Sequence, residues 1–289
     1  MRPCASAESA FLRPDKAIHR SGIQYPHKAR AVSVLEIAGE HFRFDVQGPE
    51  GAPPLVLAHS LGTTLELFDA VTPLLASRFR VVRYDLRGHG ESTAPDAVHG
   101  MGDLGRDFIN LVEGLKLGPV HFCGLSLGGM VGQWLAIHAP KRLKRIVLSN
   151  TTAYAGPPRI WEARIKAVRR TGTDHIADAV IDSWFSSGVK ARMPDTVARV
   201  REMIAATPAV GYAATSCAMR DMDFRAALHK VTTPTLVIVS DEDRSTPPEW
   251  GEAVAQGIPG AQLARLPGGH LSCLEQPEAF AKTVLDFLG

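Results

Sequence analysis

The segment Gly124-Leu125-Ser126-Leu127-Gly128-Gly129 carries the strongest chemical signal in the chain. It follows the apolar run Val120 to Cys123 and opens a helix-like stretch, Leu127 to His138, that Pro140 ends. A serine between glycines at a strand-to-helix turn is what a sharp nucleophile elbow requires, because larger side chains beside it would clash. The turn pushes the Ser126 hydroxyl out at a sheet edge, next to helix amides that favour developing negative charge. The chemistry indicated is attack on a carbonyl carbon.

A serine hydroxyl attacks when a base takes its proton, and that base needs an acid to orient it. On an elbow of this kind the acid and then the base follow the serine along the chain. Late in the sequence only His229 and His270 remain as bases. His229 precedes the strand-like run Thr235 to Val239, at its wrong end. His270, in Pro267-Gly268-Gly269-His270, lies past the run Gln262 to Leu266, in the loop after the last strand where the base must sit. The acid is expected in Ser240-Asp241-Glu242-Asp243-Arg244, directly after Val239. Asp243 is preferred because the loop residues before it let its carboxylate turn back to His270, and Asp241 is the second choice. The position after Arg145 to Leu148 offers only Ser149 and Asn150. Two amides complete the set. That of Leu127 follows the nucleophile, and that of Leu61, in His59-Ser60-Leu61-Gly62, is placed to be a second oxyanion donor. The Ser60 hydroxyl is a further candidate there.

These residues need a parallel sheet to hold them. From residue 31 on, short β-rich runs alternate with helical segments. Val32 to Ile37 and His41 to Val46 alternate like half-exposed strands joined by a tight turn, a plausible antiparallel hairpin. The next runs, Leu55 to Ala58, Arg80 to Tyr84, Val120 to Cys123, Arg145 to Leu148 and Thr235 to Val239, read as strands buried on both faces. Helical spacing marks Asp103 to Leu115, Leu127 to His138 and Pro277 to Leu288. The alternation predicts an α/β fold with a mostly parallel sheet flanked by helices. From about Thr152 to Lys230 no strand is evident. Thr173 is expected to cap a helix through Trp184, and Thr207-Pro208 to open another toward Met219. The organisation expected is a core of 31–152 and 231–289, a helical lid of 153–230, and an N-terminal tail of residues 1–30 that lacks an apolar pattern and is removable.

Composition narrows the function. The chain has 289 residues, with 45% hydrophobic and 21% charged residues, close to the average for a soluble enzyme. Lys plus Arg is 32 and Asp plus Glu is 30, so neither nucleic acid nor a membrane surface is expected as a partner. Apolar runs fall short of the roughly 18 residues of a membrane helix. The four cysteines have no C-x-x-C pair, and the N-terminus has no secretory apolar core, so a cytoplasmic location is expected. No zinc-ligand spacing and no Gly-x-Gly-x-x-Gly after a strand occur, so no metal or cofactor is expected. Arg87-Gly88-His89-Gly90-Glu91-Ser92 reads as a structural turn, and Cys123 and Cys273 as packed thiols. Oligomeric state is open.

From residue 31 to the end the chain resembles the α/β-hydrolase superfamily, and more closely the 3-oxoadipate enol-lactonases. The stretches that carry this are His59-Ser60-Leu61-Gly62-Thr63-Thr64, Gly124 to Met130 with Gln133-Trp134, and Ser149-Asn150-Thr151-Thr152. Within the lid, Ser183-Trp184-Phe185 and Gly211-Tyr212-Ala213-Ala214 with Arg220-Asp221-Met222-Asp223 add to it. The resemblance implies a helical lid, a triad of Ser126, Asp243 and His270, and opening of a small lactone through an acyl-enzyme in aromatic catabolism. Family members tend to carry a basic residue after the Asn-Thr segment, where this chain has Tyr154. A substrate carboxylate would then be met by Arg159, Arg164 or Arg220, with Trp161 as an apolar wall. The competing readings are an esterase or lactonase for another small substrate, with a haloperoxidase or C–C hydrolase behind it, and a non-catalytic ligand receptor. An epoxide hydrolase or dehalogenase needs an Asp at position 126.

Overall fold

Why the elbow can be presented at all is set by strand order. The computed structural model describes residues 32–37 and 39–289, so the segment expected as a removable tail lies outside the described residues. Eight strands form one sheet: β1 (Ser33–Ile37), β2 (Glu40–Gln47), β3 (Pro54–Ala58), β4 (Arg80–Tyr84), β5 (Val120–Leu125), β6 (Leu143–Ser149), β7 (Thr235–Ser240) and β8 (Gln262–Leu266). Their order is β1-β2-β4-β3-β5-β6-β7-β8. β1 and β2 pair antiparallel as the hairpin pattern predicts, and β2 runs antiparallel to β4. From β4 to β8 every pairing is parallel. The carboxyl ends of β3, β5, β6, β7 and β8 therefore share one edge, and the candidate residues follow those five strands.

The helices are α1 (Thr72–Leu75), α2 (Met101–Gly114), α3 (Leu127–His138), α4 (Pro158–Thr171), α5 (Asp174–Trp184), α6 (Val189–Arg192), α7 (Pro194–Ala206), α8 (Ala209–Asp221), α9 (Pro248–Gly257), α10 (Ser272–Glu275) and α11 (Pro277–Leu288). Side chains of the central strands alternate between two cores. Val56, Ala58 and Phe122 pack with Phe108, Leu111 and Val131 of α2 and α3. Leu55, Leu57 and Cys123 pack on the other face with Phe280 and Val284 of α11. Strands covered on both sides have no polar face to show, which is why their sequences are continuous apolar runs. Cys123 and Cys273 are buried free thiols that burial pushes up, Cys123 to about 12. None of the described helices is long and apolar enough to cross a membrane.

Between β6 and β7 the chain leaves the sheet for α4 to α8. The insertion is closed at its base by a bridge between Tyr154 and Asp223, with Phe224 N–H donating to Ala153 at 2.8 Å. Two expected caps act differently. The Thr173 hydroxyl donates to the carbonyls of Ala205 and Thr207, so it ties the start of α5 to the end of α7 instead of capping α5. Thr207 ends α7, its hydroxyl donating to Met203, and Pro208 holds the N-cap of α8. Hydroxyls near helix ends take whichever carbonyl or amide the packing brings within reach. The Arg87–Ser92 turn packs against α8. Gly88, at φ +81°, meets the backbone of Gly211 on α8, and an added Cβ would lie 2.8 Å from its Cα.

Sequence reading missed the charge network where β2 meets β4. Arg83 and Asp45 face each other in register, are 1% and 3% exposed, and form a forked ion pair. Arg83 also donates to Asp69 (2.7 Å) and to the Leu65 carbonyl (3.1 Å), while Asp85 accepts the Leu65 N–H at 2.8 Å. The network thereby anchors the chain that leaves the Leu61 turn. Removing one member strands a buried charge, which costs about 3–5 kcal/mol. Arg83→Met should therefore lower the thermal midpoint by roughly 10 °C. Arg106→Ala, whose ion pair is exposed, should shift it little. Equal melting of the two variants would show that the buried network is not a main support of the fold.

Candidate active site

Ser126 sits at φ 57°, ψ −112°, a left-sided backbone that a β-carbon resists. The turn survives because its neighbours leave no alternative. A Cβ on Gly124 would lie 2.2 Å from the Gly128 carbonyl oxygen, and one on Gly128 would lie 2.0 Å from that of Ala58. Only glycine lets the start of α3 press against the ends of β3 and β5. Four hydrogen bonds then fix the elbow. Ser126 N–H donates to Ser149 (2.9 Å), the Ser126 carbonyl accepts from Met130 N–H (3.0 Å) and Thr151 Oγ1 (2.8 Å), and Gly128 N–H donates to His59 (3.1 Å).

That last bond ties the elbow to the Leu61 turn, which Thr63 N–H closes onto the Ser60 carbonyl at 3.2 Å. His59 is wholly buried, and burial lowers its pKa to about 3, so the ring is neutral. Its Nε2 accepts the Leu86 N–H at 2.9 Å. Leu127 is the first residue of α3, where a helix has no internal partner for its amide. The Leu61 amide is not drawn into the backbone bonds that close the turn. The Ser60 hydroxyl is buried with no hydrogen-bond partner among the described residues.

Asp243 and His270 are brought together at 2.9 Å, Oδ2 to Nδ1. Asp243 is 3% exposed and His270 is 0% exposed. Asp243 Oδ1 accepts the N–H groups of Ser245 and Thr246, each at 2.9 Å, while Oδ2 also accepts from Thr246 Oγ1 (2.8 Å) and Asn150 Nδ2 (3.1 Å). Burial pushes this carboxyl's pKa up, but the His270 charge and these donors outweigh it and hold it below the ordinary value. The Asp243 carboxylate thus engages His270 through Nδ1 and leaves Nε2 as the ring nitrogen turned away from the acid. Nε2 has no hydrogen-bond partner among the described residues, Ser126 included. Asp241, the second choice for the acid, points away: it is exposed and paired with Arg265 at 2.9 Å.

The insertion grips the His270 loop. His270 N–H donates to the Trp184 carbonyl at 2.7 Å, and the Trp184 ring lies 5.5 Å from the imidazole, tilted by 33°. Glu275 binds the Ser186 amide and hydroxyl, Glu242 the Ser187 amide, and Arg244 the Phe185 carbonyl. None of these residues carried a legible signal, because each acts on backbone far away in sequence.

The expected substrate contacts are spread out. Tyr154 is covered by the Arg225 guanidinium, 4.2 Å from its ring centroid. Trp161 is nearly buried and donates Nε1–H to Ala155. Arg159 is exposed. Arg220 pairs with Asp221 and lines an open groove with Glu162, Ile165, Lys166, Arg169 and Arg170, none of them from the catalytic candidates. Arg164, half-buried like Arg220, has its guanidinium 5.1 Å from the Trp161 ring centroid and lies near the buried Tyr212, whose ring edge abuts Gly62, next to Leu61. No cluster of metal-ligating side chains is found among the described residues.

Comparison with known proteins agrees with this architecture. Residues 53–277 match the family model described as alpha/beta hydrolase fold. The chain is 35% identical to 3-oxoadipate enol-lactonase 2 of Acinetobacter baylyi over 82% of its own length and 89% of that protein. The crystal structure of the enol-lactonase from Burkholderia xenovorans superposes with a TM-score of 0.86 at 36% identity, covering 88% of this chain and 99% of that one. A hydrolase from Pseudomonas aeruginosa superposes with a TM-score of 0.87 at 43% identity, covering 89% and 98%. The chain belongs to the α/β-hydrolase family and is related within it to the 3-oxoadipate enol-lactonases.

Proposed function

We propose that the protein is a serine hydrolase that opens a small lactone carrying a free carboxylate, with 3-oxoadipate enol-lactone as the substrate its relatives suggest. The observation that carries this reading is the Asp243–His270 pair, whose imidazole Nε2 has no hydrogen-bond partner among the described residues, at the same sheet edge as the strained Ser126 elbow. In the first step His270 Nε2 takes the Ser126 proton as Oγ attacks the lactone carbonyl. The amides of Leu61 and Leu127 meet the oxyanion. The tetrahedral intermediate collapses with loss of the ring oxygen, which receives the proton from His270 as an enol and tautomerises to the ketone. Water deprotonated by His270 then cleaves the acyl-enzyme, releasing the keto-acid and restoring Ser126. The α4 to α8 insertion acts as the lid that shapes the acyl pocket.

For the substrate carboxylate the geometry favours Arg164 over Arg159 and Arg220. A carboxylate taken out of water without a partner costs several kcal/mol. Arg164 is held beside Trp161 and Tyr212 on the side of the insertion that abuts the Leu61 turn, whereas Arg220 is engaged with Asp221 in an outer groove.

Ser126→Ala and His270→Ala should each lower kcat on the enol-lactone by about 10⁵–10⁶, and Asp243→Asn by about 10⁴. Asp241→Asn should stay near the unmodified protein. Near-normal turnover by the Ser126 variant would overturn the acyl-enzyme, and absence of turnover of any lactone or activated ester by the intact chain would favour a non-catalytic receptor.

Arg164→Gln should raise KM for the acidic lactone about tenfold or more, with little effect on a neutral ester of similar size. Arg220→Gln should leave both unchanged. If Arg164→Gln treats the two substrates alike, the acidic-substrate reading gives way to a neutral esterase.

A further inference from the structure

Three consecutive residues, Ser149 at the end of β6 and the two after it, touch the Ser126 elbow, the Asp243 carboxylate and the loop that carries His270. The Ser149 carbonyl accepts the Ser126 N–H at 2.9 Å, and Thr151 Oγ1 donates to the Ser126 carbonyl at 2.8 Å, so this segment grips the elbow from both sides. Between them Asn150 is 1% exposed, and its amide is used at both ends. Nδ2 donates to Asp243 Oδ2 (3.1 Å) and to Ser240 Oγ (2.9 Å). Oδ1 accepts from Ser149 Oγ (2.7 Å) and from Ser272 Oγ (2.7 Å), two residues past His270. One planar amide thus spans the acid loop and the base loop.

The chemistry of the site explains why an amide stands there. Asp243 needs a donor and Ser272 needs an acceptor, and a carboxamide offers both from one rigid group. A carboxylate would offer only acceptors and would set a second negative charge beside Asp243. Asn150 also holds φ +47°, a conformation that asparagine tolerates better than most residues. Its N–H is fixed to the Ile238 carbonyl of β7 at 2.8 Å, so the side chain is aimed by the sheet itself. Among the described residues the hydrogen-bond partners of Asp243 are the His270 ring and the neutral donors of Thr246, Ser245 and Asn150.

We infer that Asn150 is a positioning residue that sets the proton affinity of the Asp243–His270 pair by donating to the same carboxylate oxygen that the imidazole uses. The inference rests on the Ser126 acyl-enzyme reading. Sharing Oδ2 with the amide withdraws electron density from the bond to His270, so the imidazolium is held less tightly and the base returns to its neutral form at lower pH. Without the amide donor Asp243 becomes more basic, and His270 keeps its proton to higher pH.

The test is the pH profile of kcat/KM on an activated ester, with rates counted per Ser126 labelled to completion by a fluorophosphonate. Asn150→Gly accommodates the backbone angle and removes the amide. It should lower kcat by about tenfold to a hundredfold with KM unchanged, and move the acid limb of the profile about half a unit or more to higher pH. Asn150→Asp keeps the size and the acceptor but adds charge, and should move the limb further in the same direction. A lowered thermal midpoint with an unmoved acid limb in both variants would show that Asn150 only packs, and would overturn the inference. The two readings fail separately. Turnover retained by Ser126→Ala removes the acyl-enzyme, whereas an inactive Ser126→Ala beside unshifted Asn150 profiles removes only the role of Asn150.

Discussion

The constraint on which the site depends is the absence of room at the elbow. Ser126 occupies a backbone region that costs free energy, of the order of 1–3 kcal/mol for such a residue. It stays there because the start of α3 is wedged between the carboxyl ends of β3 and β5, with glycine at 124 and 128 where any β-carbon would overlap backbone. The same wedge brings the His59 carbonyl onto the Gly128 amide, and so fixes the Leu61 turn against the Leu127 amide. The candidate nucleophile and the candidate oxyanion amides are set by a single packing event. Strain stored there is repaid by the two apolar cores on either face of the sheet.

The candidate acid and base are placed by a different device. Neither is on a strand; both sit in loops after β7 and β8, and loops need cross-links to hold an ångström-scale geometry. These come from two directions. From below, the β6 end reaches across through Asn150 to Asp243 and Ser272. From above, the turn after α5 takes the His270 amide on the Trp184 carbonyl and is itself clamped by Glu275, Glu242 and Arg244. The insertion therefore does two jobs at opposite ends. Near His270 it is a brace, and along α4 and α8 it supplies the Trp161, Arg164 and Tyr212 wall.

The buried ions at the other side of the sheet serve the same geometry indirectly. Arg83 and Asp85 hold the carbonyl and the amide of Leu65, four residues past Leu61. The backbone bonds of that turn leave the Leu61 amide unused, and the side chains of Arg83 on β4 and Asp85 just past it hold the segment instead.

Elements whose physics is local are legible from neighbouring residues alone. Apolar runs, glycine spacing at Ser126, and the Pro-ended stretch Leu127 to His138 are properties of neighbouring residues, and the strands and helices they predict are those observed. The order of Ser126, Asp243 and His270 along the chain, each after a strand, was enough to nominate them. The preference for Asp243 over Asp241 was likewise legible as loop length, and tertiary structure places Asp243 at the imidazole and Asp241 on Arg265. Contacts between segments distant in sequence came instead from packing. It sent the Thr173 and Thr207 hydroxyls to other carbonyls, set Arg164 beside Trp161 and Arg220 on Asp221, and gave the Asn150 amide partners on both sides. In each case the side chain's own chemistry allowed several partners, and the packing of strands and helices chose which one lay within hydrogen-bonding distance.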